Sequence, residues 1–148
     1  MTQEGLAVLT EYYCGGMTFK RLREISLRVL AIDSMIKHND FATTFLMLHD
    51  DYGMDRDEAF YTTTRVYRGG GFTKDFLYLR GLVEVNKYIL SGRSVRNLLI
   101  GKTSLSFVNL INEMIERKLA IRPKFLTIPL FEQEQQDEKM AYILNCLK

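Results

Sequence analysis

The chain has 148 residues, of which 47% are apolar and 26% are charged, and this balance excludes an intrinsically disordered protein. With 20 basic and 18 acidic residues the net charge is +2, which is too balanced to indicate nucleic-acid or anionic-membrane binding. The length is that of one domain, and no apolar run is long enough to span a membrane.

Helical periodicity dominates the first half of the chain, where we predict helices over residues 3–14, 18–38, 41–52 and 55–68. In the second helix the apolar residues recur at spacings of three and four, as on one face of a helix: Leu22, Ile25, Val29, Ile32 and Ile36. Asp55, with a glutamate three residues later, predicts the N-cap of the fourth helix. A calcium loop is the alternative for this acidic stretch, but the EF-hand spacing is absent.

The second half of the chain continues the helical pattern after three glycines at residues 69–71. Thr73 is expected to cap a fifth helix that ends near Gly92. After two shorter helical segments, an apolar stretch between two prolines allows one short strand or extended segment near residues 124–131. A last amphipathic helix is predicted over residues 132–147.

The predicted fold class is all-α, because no stretch alternates with period two between hairpin turns. We expect a single helical domain over residues 1–148, with about six to eight helices. Cys14 and Cys146 are too few for a disulfide framework, and the first residues lack the basic and apolar regions of a signal peptide. We therefore expect a cytoplasmic protein, with Cys14 buried at the end of the first helix.

Metal and nucleophile chemistry are weakly indicated by the residues alone. The chain has two histidines, His38 and His49, without a His-Glu-x-x-His motif, and we predict that both lie on the surface. No G-x-S-x-G nucleophile elbow occurs either. The residues by themselves therefore predict neither a complete zinc site nor a serine nucleophile.

Cations surround the glycine turn at residues 69–71: Arg65, Arg68 and Lys74. A P-loop is excluded, because no strand precedes the glycines and no G-K-[ST] follows at the required spacing. Backbone amides and a helix N-terminus beside these cations would suit a carboxylate or a phosphate. The open alternative is that the cations are solvated or pair with Asp75 and Glu58.

Two blocks of the sequence carry a family resemblance. Residues 3–7 spell QEGLA, and residues 65–75 read RVYRGGGFTKD, followed by YLRG at 78–81. In this order they resemble the flavohaemoglobin expression-modulating QEGLA-motif proteins, a family that includes the microtubule-associated tyrosine carboxypeptidases. The resemblance runs over most of the chain, and it implies a zinc metallopeptidase of the gluzincin kind.

By this resemblance Glu4 is a zinc ligand, while two histidines and a general-base glutamate come from a His-Glu-x-x-x-His helix upstream of QEGLA. No such helix occurs in this chain, so we expect no catalytic residue in it. We expect the C-terminal portion of a metallo(carboxy)peptidase that holds zinc in the full-length protein. By itself this portion should be inactive and bind no zinc tightly, because two distant histidines and Glu4 do not supply three convergent ligands. Its expected partner is the missing N-terminal part of the same protein.

The resemblance also implies a substrate, the C-terminus of a peptide or protein, whose carboxylate needs cations. We expect the substrate-binding residues to lie on the same side of the molecule as Glu4: Arg65, Arg68, Lys74 and Tyr78. The small residues Gly5 and Ala7 would let the first helix approach another helix closely. An exposed apolar patch with self-association is expected where the missing part would pack, at Leu6, Val8, Leu9 and Tyr12 or Tyr13.

Two hypotheses from other classes remain open at this point. One is a non-catalytic helical interaction or regulatory module that never used zinc. The other is RNA binding through residues 68–71 and the basic segment 20–28, although the arginine–glycine sequence occurs once, without repetition. A histidine helix encoded upstream would support the peptidase and count against the module.

Overall fold

The computed structural model of the protein describes residues 1–68, 72–126 and 138–147. These residues form seven α-helices and no strand, which confirms the all-α prediction. No helix among them is both long and apolar enough to cross a membrane. The helices are α1 (Thr2–Tyr13), α2 (Phe19–His38), α3 (Phe41–Leu46), α4 (Arg56–Tyr67), α5 (Phe72–Leu90), α6 (Val108–Glu116) and α7 (Glu138–Cys146).

The chain divides into two compact units. The central unit, Phe19–Leu79, contains α2, α3, α4 and the beginning of α5. The terminal unit combines Met1–Thr18 with Arg80–Lys148 and contains α1, the rest of α5, α6 and α7. Helix α5 therefore contributes residues to both units.

The central unit has an apolar core, to which α2 contributes Leu27, Ala31 and Ile32. Ile36, the last residue of the stripe predicted on α2, is instead 67% exposed. The buried members come from α2, the turn after α3, and α4 with the loop before it: Leu27, Ala31, Ile32, Leu48, Met54, Ala59 and Val66. Three hydroxyl groups form a chain within the same unit. Ser34 Oγ lies 2.8 Å from Thr44 Oγ1, which lies 3.0 Å from Tyr67 OH, so the buried hydroxyls are hydrogen-bonded.

Side-chain caps fix the starts of two helices in the central unit. Asp55 accepts hydrogen bonds from the backbone N–H groups of Asp57 at 2.9 Å and Glu58 at 3.3 Å, which confirms the predicted cap of α4. Asp40 caps α3 in the same way by accepting from Thr43 N at 2.7 Å. The cap predicted at Thr73 is wrong, because α5 already includes Phe72 and Thr73 therefore lies inside its first turn.

Three predicted segments differ from the structure or lie partly outside it. The helix predicted over residues 41–52 ends at Leu46 and continues as a π turn, Met47–Asp51. Residues 124–126 form no strand, and the rest of the predicted extended segment lies outside the described residues. The last helix is described from Glu138 onward.

In the terminal unit, α1 packs against α5 at two glycines. A Cβ added to Gly5 would lie 2.8 Å from Gly81 Cα, and a Cβ added to Gly81 would lie 2.9 Å from Gly5 N. Such distances are too short for any residue larger than glycine, which confirms the close approach predicted from Gly5. Gln3 further ties α1 to the segment before α6, since its Nε2 donates to Leu98 O at 3.2 Å and to Gly101 O at 3.0 Å.

Two expectations for α1 are wrong. The apolar patch expected on it is not exposed, because most of its members are buried: Leu6, Val8, Leu9 and Tyr12. Tyr13 is half-buried. Cys14 was expected to be buried but is exposed, because it follows the last residue of α1 at a turn that Gly15 completes with a positive φ of 73°.

Candidate functional site

Glu4 lies in the first turn of α1, with its side chain 23% exposed. Its Oε2 lies 2.6 Å from the amino group of Met1, and no other donor among the described residues reaches this buried oxygen. The hydrogen bond from this amine, assisted by the Glu4 backbone N–H and the charge of Lys102, lowers the pKa of the carboxyl. A carboxyl group with an ordinary pKa is already a carboxylate at neutral pH, the form that binds metal ions, so this state of Glu4 does not depend on the amine.

The described residues do not fit a complete zinc site, since a catalytic zinc requires three protein ligands. No group of three His, Cys, Asp or Glu side chains in this part of the chain could hold a metal ion. His49 instead has its Nδ1 2.8 Å from Met54 O and stacks on Phe45, while His38 is exposed. Glu4 thus offers one ligand.

Arg65 and Asp75 form a bidentate ion pair in the central unit. Arg65 Nε donates to Asp75 Oδ2 at 3.0 Å, and Arg65 Nη2 donates to Oδ1 at 2.8 Å. The Asp75 side chain is only 1% exposed, and its hydrogen bonds raise the pKa of Arg65. Arg65 lies in the last turn of α4 and Asp75 in the first turn of α5, which are the helix ends that favour each charge. Arg65 is therefore paired with Asp75, which was the alternative to anion binding that the sequence left open.

A second arginine, Arg28 on α2, also faces this carboxylate. Its Nη1 lies 3.9 Å from Asp75 Oδ1, and its side chain is 25% exposed. Two guanidinium groups against one carboxylate leave one net positive charge at this place. The sequence offers no signal that Arg28 meets Asp75, because the two residues lie far apart in the chain, on α2 and α5, and only the tertiary structure brings them together.

Arg68 and Lys74 are exposed, and neither has an ion pair within the described ranges. Tyr78 is half-buried and, with Tyr61, adds a smaller electrostatic contribution that raises the pKa of Arg65. The two exposed cations therefore remain able to bind an anion, whereas Arg65 is held by Asp75. This arrangement suits a carboxylate, which Arg68 could bind through two N–H groups.

The predicted site residues are distributed over both units. Arg65, Arg68, Lys74 and Tyr78 belong to the central unit, and Glu4 belongs to the terminal unit. The expectation that they line one cleft stays a prediction. The structure does join the two sequence blocks that carried the resemblance, because Gly5 of QEGLA contacts Gly81 of YLRG within the terminal unit.

Comparison with known protein families assigns the chain to a family. A family model described as microtubule-associated tyrosine carboxypeptidase matches residues 1–148. Neither a curated protein nor a solved structure matches the chain. The family match includes Glu4, both units and residues 69–71, where the predicted glycine turn lies outside the described residues.

Proposed function

The chain belongs to the microtubule-associated tyrosine carboxypeptidase family, and we propose on that basis that it is the C-terminal helical part of a zinc-dependent carboxypeptidase. In this proposal Glu4 is one zinc ligand, and the histidines and the general base lie outside these 148 residues. The chain alone is then inactive. The cytoplasm, where thiols stay reduced, is the proposed compartment for its two exposed cysteines.

The contact between Gly5 and Gly81 is the observation that carries the proposal. It explains in physical terms why the QEGLA block needs glycine at its third position, since the backbone of α5 occupies the space of a Cβ. Glu4 directly precedes this contact, so its backbone is fixed relative to α5. A metal ligand needs such a rigid support, because metal sites tolerate little displacement of their ligands.

The substrate in this proposal is the C-terminus of a peptide or protein. Arg68 and Lys74 bind its terminal carboxylate, with Tyr78 beside them. Arg65 acts through Asp75 as a positioning residue that holds the ends of α4 and α5 together. Arg68 directly follows α4 and Lys74 lies in the first turn of α5, so both exposed cations are close in sequence to the Arg65–Asp75 pair.

The test uses the full-length protein that contains this chain. We expect Glu4→Gln to remove bound zinc and to lower the release of a C-terminal residue by about 100-fold or more. The matched control is Glu113→Gln, an exposed carboxylate of the same unit that pairs with Arg117. It should keep both zinc content and activity.

Three results would count against the proposal. A Glu4→Gln protein with normal zinc content and activity would remove Glu4 from the site. Submicromolar zinc affinity of the 148-residue chain alone, lost in Glu4→Gln, would show that the chain holds a complete site. A full-length protein without zinc would favour the non-catalytic helical module.

A further inference from the structure

A polar cleft lies in the terminal unit, between the end of α5, the 3-10 turn Arg96–Ile100 and α6. Its volume is about 330 Å³, within the range of small-molecule binding sites. Cations, amides, an aromatic ring and one acid line it: Tyr88, Arg93, Asn97, Asn112, Glu116 and Arg122. None of these residues belongs to the proposed peptidase site.

One wall of the cleft is a flat cationic surface. Arg93 Cζ lies 4.3 Å from the centroid of the Tyr88 ring, so the guanidinium packs on the aromatic face. Arg93 Nε donates to Ser91 Oγ at 2.8 Å, which restrains the orientation of the group. The opposite face of a guanidinium held in this way can stack on a planar heteroaromatic ring.

Two asparagines provide a donor and an acceptor next to each other. Asn97 Nδ2 donates to Asn112 Oδ1 at 2.8 Å. Each amide has two donor hydrogens and one acceptor oxygen, so Asn97 Oδ1 and Asn112 Nδ2 keep unused capacity in the described part of the chain. If the oxygen and nitrogen of both amides are exchanged, Asn112 becomes the donor and Asn97 the acceptor, and a donor and an acceptor again remain unused. A donor beside an acceptor is complementary to the edge of a base such as adenine.

Arg122 and Glu116 complete the chemistry of the cleft. Arg122 is exposed and has no ion pair among the residues that the structure describes, so its guanidinium can bind a phosphate through two N–H groups. Glu116 can accept hydrogen bonds from ribose hydroxyls, as carboxylates do in dinucleotide sites. Two arginines and one glutamate leave one net positive charge, which favours an anionic ligand.

We propose that this cleft binds a nucleoside monophosphate. The base stacks on Arg93 and bonds to the Asn97–Asn112 pair, the ribose faces Glu116, and the phosphate binds Arg122. An acidic peptide explains the arginines equally well but leaves Glu116 opposed to a like charge. The nucleotide uses all of these groups, and the proposal does not depend on the proposed peptidase function.

The test is calorimetric titration of the 148-residue chain with AMP, adenosine and inorganic phosphate. We expect AMP to bind at least tenfold more tightly than either of its parts. Arg122→Gln should weaken AMP at least tenfold and leave adenosine unchanged, while Asn112→Ala should weaken AMP and adenosine but not phosphate. Arg117→Gln removes the same charge from an exposed arginine outside the cleft and should change nothing.

Three results would overturn the proposal. AMP that shows no saturable binding at millimolar concentration would exclude the ligand. Equal affinities for AMP and phosphate would indicate an anion site without base recognition. An oligoglutamate peptide that binds more tightly than AMP and loses its affinity in Arg122→Gln would show a peptide site instead. Arg122 is exposed, so circular dichroism should confirm that its variant folds.

Discussion

Gly5 on α1 and Gly81 on α5 face each other within backbone contact distance, so that neither position has room for a Cβ. The contact joins residues from opposite halves of the chain and sets the distance between two helices of the terminal unit. It also gives a measurable stability prediction. A methyl group added at either glycine would clash with backbone atoms of the opposite helix, which cannot be relieved by moving a side chain alone.

Gly81→Ala should destabilise the protein by about 1–3 kcal/mol, the usual cost of overpacking. The new Cβ would lie 2.9 Å from Gly5 N and 3.0 Å from Gly5 Cα. This clash opposes the gain that alanine ordinarily brings inside a helix. Urea unfolding measures the change, with Gly101→Ala as control, because a Cβ there meets no atom within 4 Å. Equal stability of Gly81→Ala and the native chain would contradict the close contact.

Asp75→Asn should cost about 3 kcal/mol of unfolding free energy, because it leaves the guanidinium of Arg65 without its charged partner. Asp75 is 1% exposed and accepts two hydrogen bonds from Arg65. The control is Asp33→Asn, which removes the same charge from an exposed pair with Lys37 and should cost less than about 0.5 kcal/mol. Similar losses in both variants would show that the buried pair contributes no more than a surface pair.

The cap at Asp40 should make stability depend on pH in the acid range. The hydrogen bonds that Thr43 donates, from its side chain and from its backbone N–H, lower the folded-state pKa of Asp40 below its ordinary value of 3.8. The unfolded chain keeps the ordinary value, so the stabilisation is complete above pH 3.8 and is lost as the pH falls through the lower folded pKa. Asp40→Asn keeps a capping oxygen but cannot titrate.

The difference in urea midpoint between the native chain and Asp40→Asn should therefore change only in this acid range. Asp40→Ala serves as the second variant, since it removes the cap at every pH. A difference that stays constant from neutral pH down to pH values well below the ordinary carboxyl pKa would contradict the prediction.

Arg68→Ala in the full-length protein should lower kcat/KM for substrates with a free C-terminal carboxylate and leave amidated substrates nearly unchanged. The expected loss is about 10- to 100-fold, the value of one charge-assisted hydrogen-bonded contact. Arg56→Ala removes an exposed arginine at the other end of α4 and is the matched control. Equal losses on both classes of substrate would mean that Arg68 is structural.

The sequence predicted the features that depend on neighbours along the chain. The bounds of α2 and the cap at Asp55 follow from contacts over a few residues, since a capping carboxylate accepts from N–H groups two and three positions later. The QEGLA block likewise predicted the family from five consecutive residues, without any knowledge of the tertiary structure. The predicted cap at Thr73 was wrong, because the end of a helix depends on its packing environment as well as on local preference, and α5 begins at Phe72.

The sequence alone determined an all-α protein, its family and the residue types available to a site, because helical periodicity and short motifs are local properties. Only the tertiary structure decided which of those residues are available. It paired Arg65 with Asp75, brought Arg28 to the same carboxylate, buried Leu6 and Leu9, and assembled the Asn97–Asn112 cleft. These contacts join residues far apart in the chain, and their formation depends on how the helices pack and not on any spacing that the sequence displays.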